Sequence, residues 1–264
     1  MTRTFQAELL KLRRRRILIA AAVGALAFAV ITTIAVLLSA DSSGRPQGRG
    51  GGGATLESLG GPGGAVEAFS TGASFVGILV LVLFIANFAG EFSQGTFRTL
   101  LMRQPRRMGL LAGKMAALLV FAAAVLALAA ILSVVASLAF APTQDISTSS
   151  WLTLDGLGEA ATSYGIALLG VTAWASLGMA LAVLVRSAPI ALGIGIAWSG
   201  PIEHLTVDFW SSAVQWFPGL LLEALAVGGT ADVSFSHAVV VLAFYVIAAA
   251  AAAALTFQRR DLTA

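Results

Sequence analysis

Cysteine is absent from this 264-residue chain, and only two residues are histidine. Without cysteine there is no disulfide, no thiolate nucleophile and no cysteine metal ligand. His204 and His237 alone are too few for a histidine-rich metal centre. We therefore predict that the chain holds no metal ion and no cofactor.

Charge is also scarce. Only 11% of the residues are charged and 58% are hydrophobic, with a mean hydropathy of +0.90, whereas soluble domains carry about 25% charged residues. The sequence predicts an all-α polytopic membrane protein in the cell membrane. A pI near 9.9 could suggest nucleic acid, but the basic residues cluster at the ends of apolar runs, where membrane orientation explains them. We expect no nucleic-acid partner.

The apolar runs predict six transmembrane helices in a single domain, at 17–38, 73–91, 115–141, 162–185, 188–203 and 237–257. The first run has about 22 residues, too long for a signal peptide. Fourteen of the sixteen Lys and Arg residues then fall in cytoplasmic segments, and Arg45 and Arg49 fall outside. Both termini are predicted to be cytoplasmic. If the short run at 188–203 re-enters without crossing, the C-terminus is external instead.

Four further segments complete the prediction. Residues 1–16 form an interfacial helix with Phe5, Leu9 and Leu12 on one face, followed by four arginines that anchor the chain or contact a partner. The Gly-rich segment 41–72 is a flexible external linker. Residues 92–114 are a cytoplasmic coupling segment. Residues 205–232 form external re-entrant helices with a break at Pro218–Gly219.

The segment after the second span has internal order. It carries five of the sixteen basic residues, and Phe97, Leu100 and Leu101 fall at helical spacing. Pro105 ends this helix, because the residue before a proline is disfavoured in helical conformation. The pattern predicts a short amphipathic helix under the bilayer. Four basic residues are interpreted as topology and lipid anchors: Arg103, Arg106, Arg107 and Lys114.

Three catalytic or binding motifs are only approximated. Gly109-x-x-x-Gly113-Lys114-Met115 is one residue too short for a phosphate loop and lacks its hydroxyl residue, so we expect no nucleotide site and no enzyme activity. Ala197-Trp198-Ser199-Gly200 with His237 leaves an intramembrane serine protease as a remote alternative. Glu203, His204 and Asp208 could bind a cation, but a solvated outer rim is the usual explanation of such a group.

The predicted spans contain almost no ionisable residue. Proton- or ion-driven transporters place Asp, Glu, His or Arg inside their spans, whereas these spans offer neutral groups such as Asn87, Ser133 and Thr172. We therefore expect any transport to draw its energy from a partner.

The pattern resembles the membrane subunit of an ATP-binding-cassette (ABC) transporter, of the type-2 exporter permease family. The resembling residues are Glu8-Leu-Leu-Lys-Leu-Arg before the first span, Trp216-Phe217-Pro218 before the last, and Phe257-x-Arg259-Arg260-Asp261 after it. The most specific element follows the second span, with Glu91, Gly95, Thr96, Arg98, Leu100, Leu101, Pro105 and Arg107.

The resemblance implies a permease that pairs with a second permease subunit, as a homo- or heterodimer, and with two cytosolic ABC ATPase subunits. It implies that the helix after the second span couples to the ATPase through Glu91, Gly95, Thr96, Phe97, Arg98, Leu100, Leu101 and Pro105. The substrate is expected to be apolar or amphipathic, such as a drug, lipid or natural product. A non-transport membrane scaffold or sensor subunit is the alternative. The Gly-rich external segment departs from the family pattern.

Overall fold

The computed structural model describes residues 2–40, 55–93, 95 and 107–259. These residues are nearly all helical and contain no β-strand. The helices are α1 (Thr2–Leu12), α2 (Arg15–Ser39), α3 (Leu56–Gly60), α4 (Gly64–Ser93), α5 (Arg107–Phe140), α6 (Leu154–Val185), α7 (Ala188–Ala197), α8 (Glu203–Phe209), α9 (Pro218–Ala226) and α10 (Phe235–Arg259). Short 3₁₀ turns lie at Ala141–Gln144 and Ser211–Gln215, and a π-turn at Trp198–Ile202 joins α7 to α8.

Five helices of the described part are long and apolar enough to cross a membrane. They are α2, the segment Val76–Ser93 of α4, the segment Met108–Gln144, α6 and Phe235–Gln258. The chain is thus a helical protein with several candidate membrane spans, as the composition predicts. The predicted run at 188–203 is not one of the five, because a π-turn divides it. Its helical structure nevertheless continues without a gap from Ala188 to Phe209, over 22 residues or about 33 Å at 1.5 Å per residue.

The pair α4 and α6 forms the centre of the bundle. Gly77 lies directly under the indole of Trp174, and Gly178 faces Leu81 and Phe84 so closely that a Cβ would meet the Leu81 carbonyl oxygen at 3.0 Å. Small residues at these crossings let two apolar helices approach where side chains would hold them apart. Phe84, Ile85 and Phe88 on α4 are consequently fully buried.

The ends of the bundle follow from the direction of the helices. We call the end where α4 stops and α5 starts, at Ser93 and Arg107, the basal end, and the opposite end the distal end. Gly95 has a φ of +65°, a left-handed conformation that glycine adopts without steric cost. The chain therefore turns away from α4 within the predicted coupling segment, three residues after its start.

The prediction of a flexible linker over 41–72 is wrong for its second half. Thr55 and Ser58 form a reciprocal capping box that starts α3, and α4 begins at Gly64. The indole Nε1 of Trp151 donates to the Leu59 carbonyl at 2.9 Å, which fixes α3 against the loop before α6. The glycine-rich composition predicted a flexible segment, but the contact between buried Leu59 and Trp151 orders it. The first half, 41–54, lies outside the described residues.

Residues between α8 and α10 fold back onto the bundle. Helix α9 begins at Pro218, at the predicted break, and most of its residues are buried. Leu222 lies 3.8 Å from where a Cβ on Gly170 would stand, and Gly170 is halfway along α6. This short helix therefore reaches the middle depth of α6 from the distal end.

Candidate functional site

The residues predicted to couple to a partner lie at the basal end, and the structure describes two of them. Glu91 is in the last turn of α4, and Gly95 follows that helix. The other predicted residues, Thr96, Phe97, Arg98, Leu100, Leu101 and Pro105, lie outside the described residues. The candidate site is consequently built from Glu91 and from what surrounds it.

Three elements meet around Glu91. Helix α1 turns a face with Thr4, Glu8 and Leu12 towards the bundle, at a spacing of four residues that puts them on one side of a helix. Helix α5 contributes Lys114 from its second turn, in a buried row with Leu110, Leu111 and Leu118. The sequence distance between these elements is large, so only the fold brings them together.

Four side chains form a closed ring of alternating charge, which we call the charge ring: Glu8, Lys11, Glu91 and Lys114. Lys114 Nζ lies 2.7 Å from Glu91 Oε1 and 3.7 Å from Glu8 Oε2. Lys11 Nζ lies 2.6 Å from Glu8 Oε1 and 3.5 Å from Glu91 Oε1. Each acid thus faces both bases, and the formal charges cancel.

Burial differs strongly around the charge ring. The side chains of Lys114 and Glu8 are 1% and 6% exposed, whereas that of Lys11 is 45% exposed. A buried ion costs several kcal/mol to remove from water, and only a well-placed opposite charge repays this. Lys114 meets this requirement with two carboxylates and with the ring of Phe88, 5.3 Å from its Nζ. The contact between Lys114 and Glu91 lacks the angle of a hydrogen bond. It is therefore an ion pair that depends on the short distance between the two charges.

The last turns of other helices lie beside the charge ring. Phe92 packs edge-on against Phe257 of α10, with centroids 6.2 Å apart, and the Arg186 guanidinium lies 5.6 Å from the Phe92 ring. Arg186 itself ends α6 with a left-handed φ of 58°. The basal ends of α6 and α10 are therefore connected to α4 one residue beyond Glu91.

Two predictions for this end of the chain need correction. Lys114 is not a lipid anchor, because its side chain is buried between α1, α4 and α5 and pairs with acids. The buried face of helix α1 is not the predicted set of Phe5, Leu9 and Leu12, because its buried residues are Thr4, Glu8 and Leu12. It packs against α5 instead. The physical reason is the same in both cases: an ion pair lets charge be buried.

The other candidate residues are separated by the fold. Ser199 Oγ is buried and has no hydrogen-bond partner in the described part of the chain, while His237 Nε2 lies 2.9 Å from the Gln215 carbonyl oxygen. No hydrogen bond joins this serine and this histidine. Likewise Glu203 and His204 point to different partners, since His204 Nε2 lies 3.2 Å from Glu223 Oε1. Among the residues described, no group of three His, Cys, Asp or Glu side chains could hold a metal ion.

Glu203 is the residue whose environment departs most from expectation. It was predicted at a solvated rim, yet its exposure is 0%. One carboxylate oxygen, Oε2, accepts a hydrogen bond from the Leu220 amide at 3.0 Å, at the N-terminus of α9. The other, Oε1, has no hydrogen-bond partner among the residues that the structure describes. The helix end supplies the partial positive charge that a carboxylate needs there.

The charge ring at the basal end connects three helices, α1, α4 and α5. Sequence reasoning identified Glu91 but missed Lys11 and Lys114 as its partners. One signal was available, because Glu8 and Lys11 stand three residues apart and can pair on a helix. Lys114 gave no comparable signal, since a lysine near the start of an apolar run ordinarily marks the membrane interface.

Comparison with known proteins adds a family. The chain belongs to the DUF2705 family, described as a protein of unknown function, whose profile matches residues 53–263. No curated protein matches the chain. The matched range includes Glu91 and Lys114 and leaves out α1, which contributes Glu8 and Lys11.

Proposed function

We propose that this chain is the membrane-spanning permease subunit of an ATP-driven ABC exporter. It pairs with a second permease subunit to form the substrate pathway and has separate cytosolic ATPase partners. It performs no catalysis of its own. The sixth crossing in this proposal is the helical run from Ala188 to Phe209, and α9 is the re-entrant helix before the last span.

One observation carries the proposal, namely the charge ring at the base of the predicted coupling segment. That segment, 92–114, follows Glu91 directly and ends at Lys114, seven residues after the start of α5. The ion pair between Glu91 and Lys114 therefore joins the two ends of the segment, and Glu8 and Lys11 attach α1 to the same point. A force applied to residues 95–105 is transmitted to three helices at once.

The contacts at the basal end indicate which helices would move together. Closure of an ATPase pair pushes on the coupling segment, and the charge ring moves α1, α4 and α5 together at their basal ends. Contacts of Phe92 with Phe257 and Arg186 extend the displacement to α10 and α6. Because packed helices shift as nearly rigid bodies, the movement is transmitted to the distal end. The cargo is apolar or amphipathic, in keeping with the apolar walls between the helices.

The test begins with a search for a neighbouring reading frame that encodes a phosphate-loop ATPase. Co-expression of the two should give a complex that co-purifies and hydrolyses ATP faster than the ATPase alone. Arg98→Glu should leave the permease inserted in the membrane and lower this stimulation at least ten-fold, because it inverts charge on the predicted coupling helix. Arg49→Glu makes the same change in the predicted external segment and should have no effect.

Two results would contradict the proposal. One is an ATPase that never co-purifies with the intact permease, which would favour a scaffold or sensor subunit. The other is equal behaviour of Arg98→Glu and Arg49→Glu in a complex that does form.

A further inference from the structure

A second feature of the molecule is a deep groove beside α2, on a part of the structure that the proposed function does not use. The groove has a volume of about 550 Å³ and lies between α2, α4 and α5. We call it the α2 groove. Helix α2 contributes small residues to its wall, including Ala20, Gly24 and Ala25, and the facing wall is formed by larger side chains such as Leu83 and Phe121.

The groove exists because the stretch of α2 between Ile17 and Phe28 lines it with small side chains only. A Cβ built on Gly24 meets no atom within 4 Å. Further along, Phe28 lies against Gly72 of α4, where a Cβ would stand only 2.5 Å from its ring, and this contact closes the distal end. The α2 groove is thus an apolar recess about 16 Å long, measured from Ile17 to Phe28 at 1.5 Å per residue.

The mouth of the groove is positively charged. Arg16 lines it at the basal end, and Arg13, Arg14 and Arg15 precede it on the chain. All four are exposed, and none forms an ion pair with an acidic side chain in the described part of the chain. The nearby acids Glu8 and Glu91 are already engaged by lysines in the charge ring. Arginines in this position attract anionic lipid headgroups.

We propose that the α2 groove binds one acyl chain of an anionic phospholipid, with the lipid phosphate on Arg16. Half of a bilayer's hydrocarbon core is about 15 Å thick, so a groove about 16 Å long matches the depth of one fatty acyl chain. The apolar wall accepts any acyl chain equally, so the headgroup sets the preference. The lipid is a resident of the groove rather than cargo, and this inference does not rest on the proposed transport role.

Lipid competition followed by native mass spectrometry tests the site. The full chain is purified from an equimolar mixture of phosphatidylglycerol and phosphatidylcholine with the same acyl chains. The wild-type protein should retain one lipid, with a roughly five-fold preference for phosphatidylglycerol, since one arginine near a membrane surface gives about that factor. Arg16→Gln should reduce the preference to near one-fold. Arg3→Gln, at an exposed arginine of α1, is the matched control and should retain the preference.

A second pair of variants tests the groove itself. Gly24→Leu fills the recess and should remove bound lipid of both kinds, whereas Ala22→Leu adds a leucine at an exposed position outside the groove lining and should bind lipid as the wild type does. Because the chain has no cysteine, Gly24→Cys can instead be alkylated with a long-chain thiol reagent after folding. Alkylation should displace the lipid, and the same reaction on Ala22→Cys should not.

Four outcomes would overturn the assignment. The first is an unchanged headgroup preference in Arg16→Gln, and the second is equal lipid loss at positions 22 and 24. The third is a wild-type protein that is a dimer, and a Gly24→Leu variant that dissociates without any loss of lipid. A second copy of the chain would then be the occupant of the α2 groove. A free fatty acid that displaces the phospholipid at equal concentration would also remove the role of the phosphate.

Discussion

The two most buried groups of charge in this protein are stabilised in opposite ways. At the basal end, Glu8 and Glu91 face two lysines in a ring whose charges cancel. On the distal side, Glu203 is fully buried, forms no ion pair with a lysine or arginine in the described part of the chain, and accepts a hydrogen bond from the amide of Leu220 at the start of α9. The first arrangement depends on side chains from three helices. The second depends on the N-terminus of a helix, where the Leu220 amide donates to the carboxylate.

This difference predicts which substitutions each site tolerates. Removing one charge from a balanced buried ring leaves an unpaired ion, which costs more than the pair was worth. Removing the charge from Glu203 leaves no unpaired ion, provided that an oxygen still accepts from Leu220. The charge ring therefore requires ionised groups, whereas the Glu203 site requires an acceptor of the right shape.

Lys114→Met should have the largest effect on stability. It retains much of the side chain's length but leaves Glu8 and Glu91, among the described residues, with the half-exposed Lys11 as their basic partner. We expect a loss of about 3 kcal/mol in the free energy of unfolding. Reversible unfolding in mixed detergent micelles measures it. The double variant Lys114→Met with Glu91→Gln removes one acid and one base, so its loss should be smaller than the sum of the single losses by at least about 1 kcal/mol. Strict additivity would mean that the ring is not a unit.

Replacing Glu203 should separate charge from hydrogen bonding. Glu203→Ala leaves the Leu220 amide buried without an acceptor, and we expect a loss of about 2 kcal/mol. Glu203→Gln keeps an acceptor oxygen and should cost less than about 1 kcal/mol. Unfolding of the two variants in the same micelles makes the comparison. A glutamine variant as unstable as the alanine variant would show that the negative charge itself is needed.

Gly219 provides the control for that experiment. An alanine Cβ there would lie 2.3 Å from Glu203 Oε2, so Gly219→Ala should displace the carboxylate and destabilise the protein by roughly 1–2 kcal/mol. In the Glu203→Ala background the same change should cost almost nothing. Gly193→Ala is the matched control for this substitution, because a Cβ at Gly193 meets no atom within 4 Å.

The sequence is sufficient to predict the helical class and several of the candidate spans, because these depend on composition and local periodicity; the coupling role of Glu91 stays a prediction. It is not sufficient for Lys114 or Glu203. Lys114 stands near the start of an apolar run, and burial requires partners more than 20 residues away. Glu203 follows Pro201, which ordinarily ends a helix. The π-turn at Trp198–Ile202 accommodates that proline and carries the helix onward, so the carboxylate enters the interior. Such turns recur at functional sites, but composition does not reveal them.

Lys11→Gln should have the smallest effect, although Lys11 makes the shortest contact of the charge ring, 2.6 Å to Glu8. Its side chain is 45% exposed, so water and salt screen its charge, and we expect a loss of less than about 1 kcal/mol. Raising the salt concentration should reduce that loss further while leaving the Lys114→Met loss nearly unchanged, because buried pairs are screened much less. Unfolding of both variants at low and high salt measures this contrast. If burial determines the strength of these ion pairs, Lys114 dominates despite its longer contact with Glu8, 3.7 Å. Equal losses and equal salt dependence would instead show that the distance between the charges alone determines the strength of these ion pairs. The charge ring would then differ from the Glu203 site only in the number of its partners.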